Sequence, residues 1–379
     1  MSVEPQVRAP IAMLAELTHR CPLACPYCSN PMELTRKERE LDTATWLDVF
    51  GQAAALGVLH LHLSGGEPLS RRDLEALVAG AREAGLYTNL IASGIGLTER
   101  RLKALEAAGL DHVQLSLQGT DAETGDRIGG YRGGFARKME AAGWIAAAGM
   151  PLTLNFVMHR QNVHQLEDAI ALAQRLGARR IEVATVQFHG WAMANRTALM
   201  PTREQAKAAG ETVKAARERL RGRLVIDYVP ADYHARFPKP CMGGWGSTGI
   251  NVNPEGRVLP CHAAETIPGL VFETVRERPL AAIWEDGPAF AAFRGTEWMQ
   301  EPCRSCERRE VDFGGCRCQA MALAGDARAT DPVCVKSPLH GELAALAEGF
   351  ASGDDALVWR RFPAGREEAV VRSGAQPAI

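Results

Sequence analysis

Ile11-Ala-Met-Leu-Ala-Glu-Leu-Thr-His-Arg-Cys-Pro-Leu-Ala-Cys-Pro-Tyr-Cys28 is the stretch whose reading decides the fold. Its apolar beginning, residues 11–17, predicts a first β-strand, and Cys21, Cys25 and Cys28 follow directly in C-x3-C-x2-C spacing. Three thiolates can hold three irons of a 4Fe–4S cube and leave the fourth open to a small molecule, whereas an electron-carrier cluster is normally closed by a fourth protein ligand. The spacing therefore points to chemistry at a cluster. Zinc competes, because thiolates suit both metals. Zinc sites usually spread paired ligands over two knuckles, however, and no fourth ligand lies near this loop.

Composition narrows the class. The chain has 379 residues, a formal net charge of −2 and no dense basic patch, which gives no support for nucleic-acid binding. The most apolar stretch, residues 144–158, is broken by Gly149, Pro151 and Asn155 and falls short of a membrane span. Ten cysteines without a secretory signal imply a reducing compartment and metal ligands more than disulfides, so a soluble cytoplasmic protein is expected.

The first two thirds alternate between strand-like runs and helical patterns. The runs are 11–17, 58–63, 87–92, 112–117, 152–158 and 181–186. Leu74, Leu77, Val78 and Ala81 repeat at helix spacing, as do Leu166, Ala169, Ile170 and Ala173, so each helix can lay one apolar stripe on a sheet. Six β/α units in series predict an α/β fold with a parallel sheet or partial (β/α)6 barrel, whose ligand sites gather at the C-terminal strand ends. The cysteine loop falls at such an end. So does Gly65-Gly66-Glu67-Pro68, where paired glycines let main-chain carbonyls approach a ligand closely and Glu67 offers a carboxylate to an ammonium. Asn89, Asn155 and Gln187 end other strands and could reach a ligand or simply bond locally. His60 and His62 alternate with leucines and read as packed histidines on one strand face.

Composition shifts after a helical pattern at 202–220 and a strand-like run at 224–229. The chain becomes rich in Gly, Pro, Trp and Cys, and the seven remaining cysteines fall at 241, 261, 303, 306, 316, 318 and 334. Such spacing implies metal, and seven is one short of two closed four-ligand sites.

C-x3-C-x2-C after a first strand, followed by Gly-Gly-Glu-Pro at the end of the second, resembles the radical S-adenosylmethionine (SAM) superfamily. The resemblance implies a partial TIM-like barrel, a 4Fe–4S cluster on Cys21, Cys25 and Cys28, and SAM on its open iron. It places Gly65, Gly66 and Glu67 around the SAM amino group, with Ser116 and Arg127 holding the carboxylate, a task suited to a guanidinium fork. The cysteine-rich region is similar to the SPASM extension of radical SAM peptide maturases, whose pattern runs C-x2-C-x5-C-x3-C and then a further Cys. Here Asp312 stands where the third of those cysteines belongs. The resemblance implies one auxiliary cluster on Cys241, Cys261, Cys316 and Cys318, and a second on Cys303, Cys306, Asp312 and Cys334. It divides the chain into a radical SAM barrel at 1–230, a SPASM region at 231–340 and a tail at 341–379.

Within that superfamily, residues 17–31, Gln187-Phe-His-Gly-Trp-Ala192, Cys241-Met-Gly-Gly-Trp245 and residues 301–318 resemble the radical SAM enzymes of pyrroloquinoline quinone biosynthesis, including the aspartate departure. This implies a carbon–carbon crosslink between a glutamate and a tyrosine of a small precursor peptide. It further implies an electron donor such as flavodoxin. Twenty residues precede Cys21 in this sequence, so a separate small peptide-binding chaperone is expected to present the peptide. His189 is a candidate base, against a packed loop histidine. The alternatives are another SPASM maturase, thioether-forming or sulfatase-maturing, and a non-catalytic iron–sulfur carrier.

Overall fold

Every strand-like run becomes a strand in the computed structural model, which describes residues 7–187, 189–348 and 356–362. β1 (Ala12–Glu16), α1 (Thr43–Leu56), β2 (His60–Ser64), α2 (Leu74–Glu83), β3 (Tyr87–Ala92), α3 (Glu99–Ala108) and β4 (His112–Leu117) follow in strict alternation. Two helices, α4 (Ala122–Gly129) and α5 (Gly134–Ala147), lead to β5 (Leu152–Met158), α6 (Leu166–Arg175) and β6 (Arg180–Thr185). Short α7 (Gly190–Ala194) and α8 (Arg196–Leu199) precede α9 (Arg203–Arg219) and β7 (Val225–Val229).

Local chemistry sets the boundaries. The Asp42 side chain accepts from the Thr45 amide to start α1, and Gly57, in the left-handed region at φ +106°, ends it. Thr202 and Gln205 form a reciprocal capping box at the start of α9. The α2 and α6 stripes are buried as their spacing predicts, and with the outward-facing strand residues they form the main core between sheet and helices.

β1 to β7 are parallel neighbours in order, and the cysteine-rich region adds to the same sheet. β8 (Gly249–Val252) pairs in parallel with β1, Ala12 opposite Gly249, and β9 (Val258–Leu259) closes that edge antiparallel. Nothing in a four-residue Gly-Ile-Asn-Val run inside a Gly- and Cys-rich stretch separates it from loop. The histidines of β2 also differ from expectation. Leu61 and Leu63 enter the core, whereas His60 is exposed and His62 only half-buried beside Asn89.

The cysteine-rich region continues with α10 (Leu280–Asp286), α11 (Pro288–Ala291), α12 (Arg309–Asp312), α13 (Arg317–Ala324) and α14 (His340–Glu348). The stretch from 341, expected as a tail, contributes Leu343 and Ala347 of α14 to a small core with Tyr233 and Leu199. Residues 356–362 pack against the cysteine loop, and the remainder of that stretch lies outside the described residues. Among the described residues no helix is long and apolar enough to cross a membrane.

Candidate cofactor and cluster sites

The lead-in to the cysteine loop crosses directly over the end of β2. The Gly66 amide donates to the Thr18 carbonyl at 2.5 Å and the Glu67 amide to the Arg20 carbonyl at 2.7 Å. This crossing explains both glycines: a Cβ at Gly65 (φ +128°) would lie 2.2 Å from the Thr18 oxygen, and one at Gly66 2.5 Å from the Arg20 oxygen. Buried Arg71 pins the turn by donating to the carbonyls of Leu17 (3.1 Å) and Leu41 (3.0 Å) while pairing with Asp73.

Cys21, Cys25 and Cys28 face one cavity of about 380 Å³ together with Gly65, Gly66 and Ser116. Asn155, Gln187, His189, His262 and Arg360 line it as well. Burial, followed by the Glu67 charge, pushes the Cys21 thiol up to about 12. Cys25 is raised by burial and by its neighbours Cys28 and Cys21, and Cys28 by burial. Three protonated thiols crowded against one cavity are idle as acids. They suit a metal that takes thiolates, since coordination releases their protons.

Two expected SAM contacts sit elsewhere. Both Glu67 oxygens are occupied: Oε1 accepts from the Leu69 amide (3.1 Å), and Oε2 from the Ser93 amide (2.7 Å) and hydroxyl. The carboxylate therefore builds the turn, leaving main chain at the cavity. Arg127 lies exposed on α4, donating to the Gln161 side chain at 2.6 Å, so it does not join Ser116. Asn89 likewise bonds His62 and Gln114 within the sheet. Lys138 is a buried cation beside this site, donating to the carbonyls of Ser93 (2.7 Å) and Ser116 (2.9 Å); burial lowers its pKa to about 8.

The seven later cysteines lie in two groups. Cys241, Cys261, Cys316 and Cys318, all free thiols, pack in one small cluster around Trp245 and Phe293. Cys316 caps α13, its sulfur accepting from the Gln319 amide at 3.4 Å, and hydrogen bonds from Cys241 and Cys318 hold its pKa well below the usual thiol value. Asp331 supports this group: its Oδ2 accepts from the Cys316 amide at 2.8 Å, and burial pushes its carboxyl up to about 7. Cys303, Cys306, Asp312 and Cys334 line one small cavity with Arg308 and Lys336. Asp312 Oδ1 accepts from the Gly314 amide and Oδ2 from Arg308 Nε, both at 3.1 Å, and Lys336 Nζ donates to the Cys306 sulfur at 3.1 Å. Among the described residues no three His, Cys, Asp or Glu side chains close on a point that a single ion would fill. The donors stand in wider groups.

The cavity and the first quartet meet at two histidines. His262 follows Cys261 in the chain, lines the cavity, and lies edge-on to His189 with ring centroids 5.8 Å apart. Burial, then the His262 charge, lowers the His189 pKa to about 4. His262, Lys138, Asn195 and Arg360 had no signal in the sequence: each acquires its position only through tertiary contacts far along the chain.

Residues 15–173 match the radical SAM superfamily and residues 241–307 the SPASM iron–sulfur cluster-binding domain. The chain is 66% identical over 339 residues to the PqqA peptide cyclase of Rhizobium meliloti (strain 1021), covering 89% of this chain and 90% of that protein. It is 64% identical over 362 residues to the PqqA peptide cyclase of Ruegeria pomeroyi, covering 95% and 97%. Among solved structures, Streptococcus suis SuiB bound to S-adenosylmethionine aligns with a TM-score of 0.72 at 19% identity over 86% of this chain and 78% of that one. Native anSMEcpe with bound AdoMet and Kp18Cys peptide aligns at 0.62 and 14% identity, covering 90% and 96%. These likenesses carry the fold. With 66% and 64% of the aligned residues identical over 90% and 97% of those relatives' lengths, the chain belongs to the PqqA peptide cyclase family of radical SAM, SPASM-bearing proteins.

Proposed function

We propose that this chain joins a glutamate and a tyrosine side chain of a PqqA-like precursor peptide by a carbon–carbon bond. The chain is a radical SAM peptide cyclase of pyrroloquinoline quinone biosynthesis, using SAM, a SAM cluster and auxiliary iron–sulfur clusters. The observation that carries the reading is the single cavity shared by Cys21, Cys25, Cys28, the Gly65–Gly66 main chain, Ser116 and His262.

Cys21, Cys25 and Cys28 hold the cluster. The Gly65 and Gly66 main chain receives the SAM amino group, and Ser116, Asn155 and Gln187 bond its polar ends. When bound, the cluster and SAM supply a carbon radical able to take hydrogen from an unactivated side chain. The protein's own task is orientation and exclusion of water: Leu23, Ile91, Val157 and Val186 wall the cavity. Crosslinking removes two hydrogens from the peptide, one as an atom from glutamate and the other from the tyrosine ring as a proton and an electron. Cys241, Cys261, Cys316 and Cys318 would hold the auxiliary cluster nearest the cavity, and His262, next to Cys261 in the chain, lines that cavity. Cys303, Cys306, Asp312 and Cys334 hold the other.

The barrel spans 1–230 and the SPASM region 231–340. A PqqD-like chaperone presents the peptide by adding a strand to an exposed sheet edge, and an electron donor such as flavodoxin reduces the SAM cluster. Reduced protein, SAM and peptide should yield deoxyadenosine and a peptide two hydrogens lighter, with the change mapped to Glu and Tyr. A mass change mapped to cysteine would instead favour a thioether-forming maturase, and no deoxyadenosine a carrier.

A further inference from the structure

Residues 356–362 lie across the cysteine loop. The Arg360 amide donates to the Ala24 carbonyl at 3.3 Å, and its guanidinium donates to the His19 carbonyl and lines the same cavity as Cys21, Cys25 and Cys28. Asn195 clamps this strap in place. Its Oδ1 accepts from the Val358 amide at 2.6 Å, while its Nδ2 donates to the carbonyls of Val358 (2.8 Å) and Pro26 (2.7 Å). One side chain thus ties the strap to the loop between Cys25 and Cys28.

Arg360 is 4% exposed and is the one Lys or Arg lining the cavity among the described residues. No carboxylate among the described residues pairs with it, and its Nε hydrogen is buried without an acceptor. A buried guanidinium without a counter-charge is costly unless an anion meets it. Three thiolates around an iron–sulfur cube make an anion at that place, and one that gains further negative charge on reduction. Positive charge beside a cluster favours the reduced form, and so raises the potential.

We infer that the C-terminal strap completes the SAM-cluster site, with Arg360 as a positioning residue that holds the cysteine loop over the cluster and raises its reduction potential. The inference rests on the cluster assignment to Cys21, Cys25 and Cys28. A failure of that assignment shows separately, as absence of SAM-cluster iron in the parent protein.

The test compares parent, Arg360→Gln, Arg360→Lys and Asn195→Ala as anaerobically prepared holoproteins. It reads the midpoint of the SAM-cluster EPR signal and the rate of iron loss to a chelator. Arg360→Gln should move the midpoint to more negative potential and speed iron loss several-fold, while the auxiliary-cluster signals stay in place. Arg360→Lys, which keeps the charge, should restore most of the midpoint. Asn195→Ala keeps Arg360 but frees the strap, and should shift both readouts in the direction of Arg360→Gln. Parent-like midpoints in Arg360→Gln and Asn195→Ala would overturn the inference, as would an equal shift of all cluster signals, which marks a general folding defect.

Discussion

The Glu67 carboxylate accepts the Ser93 amide at 2.7 Å and the Ser93 hydroxyl as well, joining the end of β2 to the end of β3. Glu67→Ala leaves those buried donors and the Leu69 amide without an acceptor, at a cost of about 2–4 kcal/mol. A melting-temperature drop of several degrees is expected, with a smaller drop in Ser93→Ala. Weakened SAM binding by equilibrium dialysis with an unchanged melting temperature would return Glu67 to the role of direct ligand.

Changing Cys21, Cys25 or Cys28 to Ala should abolish deoxyadenosine formation and leave the auxiliary iron and sulfide bound, because the other seven cysteines stand in separate groups. Iron and sulfide assays alongside product analysis check this. Retained SAM cleavage in any one variant contradicts the open-iron assignment.

Asp312 supplies an oxygen donor where its three companions are thiols. Asp312→Cys should keep the iron content and shift the cluster's spectrum and potential, since a softer ligand binds iron competently and ligand identity sets both. Asp312→Ala loses that donor and the acceptor for the Gly314 amide and Arg308. Its cluster should be labile, with crosslinking reduced more than SAM cleavage. Parent-like spectra in both variants would make Asp312 an ordinary loop carboxylate.

His159 is buried against Tyr27, the residue between Cys25 and Cys28, with ring centroids 5.4 Å apart. Burial, then the Arg127 charge, lowers its pKa to about 3. The folded chain therefore keeps a neutral imidazole where the unfolded chain is protonated below about 6.5. Stability present above pH 6.5 is lost as pH falls toward 3, by up to about 1.4 kcal/mol per pH unit from this group. His159→Phe should keep the ring contact and flatten that dependence. Thermal scans of both proteins at pH 7 and 5.5 check it, and equal pH slopes would remove His159 as the cause.

What the sequence made legible was periodic or countable. The α2 and α6 stripes repeat every three to four residues, so their helices could be placed, and the departure from the SPASM pattern singled out Asp312, which shares a small cavity with Cys303, Cys306 and Cys334. Side-chain direction was another matter. Glu67 and Arg127 carried the right chemistry, but the turn sends one carboxylate to Ser93 and α4 leaves one guanidinium beside Gln161. Arg360 reaches the cysteine loop only because Asn195, itself distant in sequence, receives Val358. No local pattern encodes such a meeting. β8 escaped for a similar reason, since a strand of four residues is defined by its neighbour more than by its own composition.

That neighbour is β1, and the pairing bears on how this protein can be cut, grafted or inherited. A fragment ending near 230 would keep the barrel's cysteine loop but strip β8 from β1, leaving a bare parallel edge from Ala12 to Ala15 beside the loop. Bare edges recruit other chains. The cysteine-rich region is thus no detachable module: swapping it between relatives requires carrying β8 in register, and a truncated barrel should precipitate before its chemistry can be assayed.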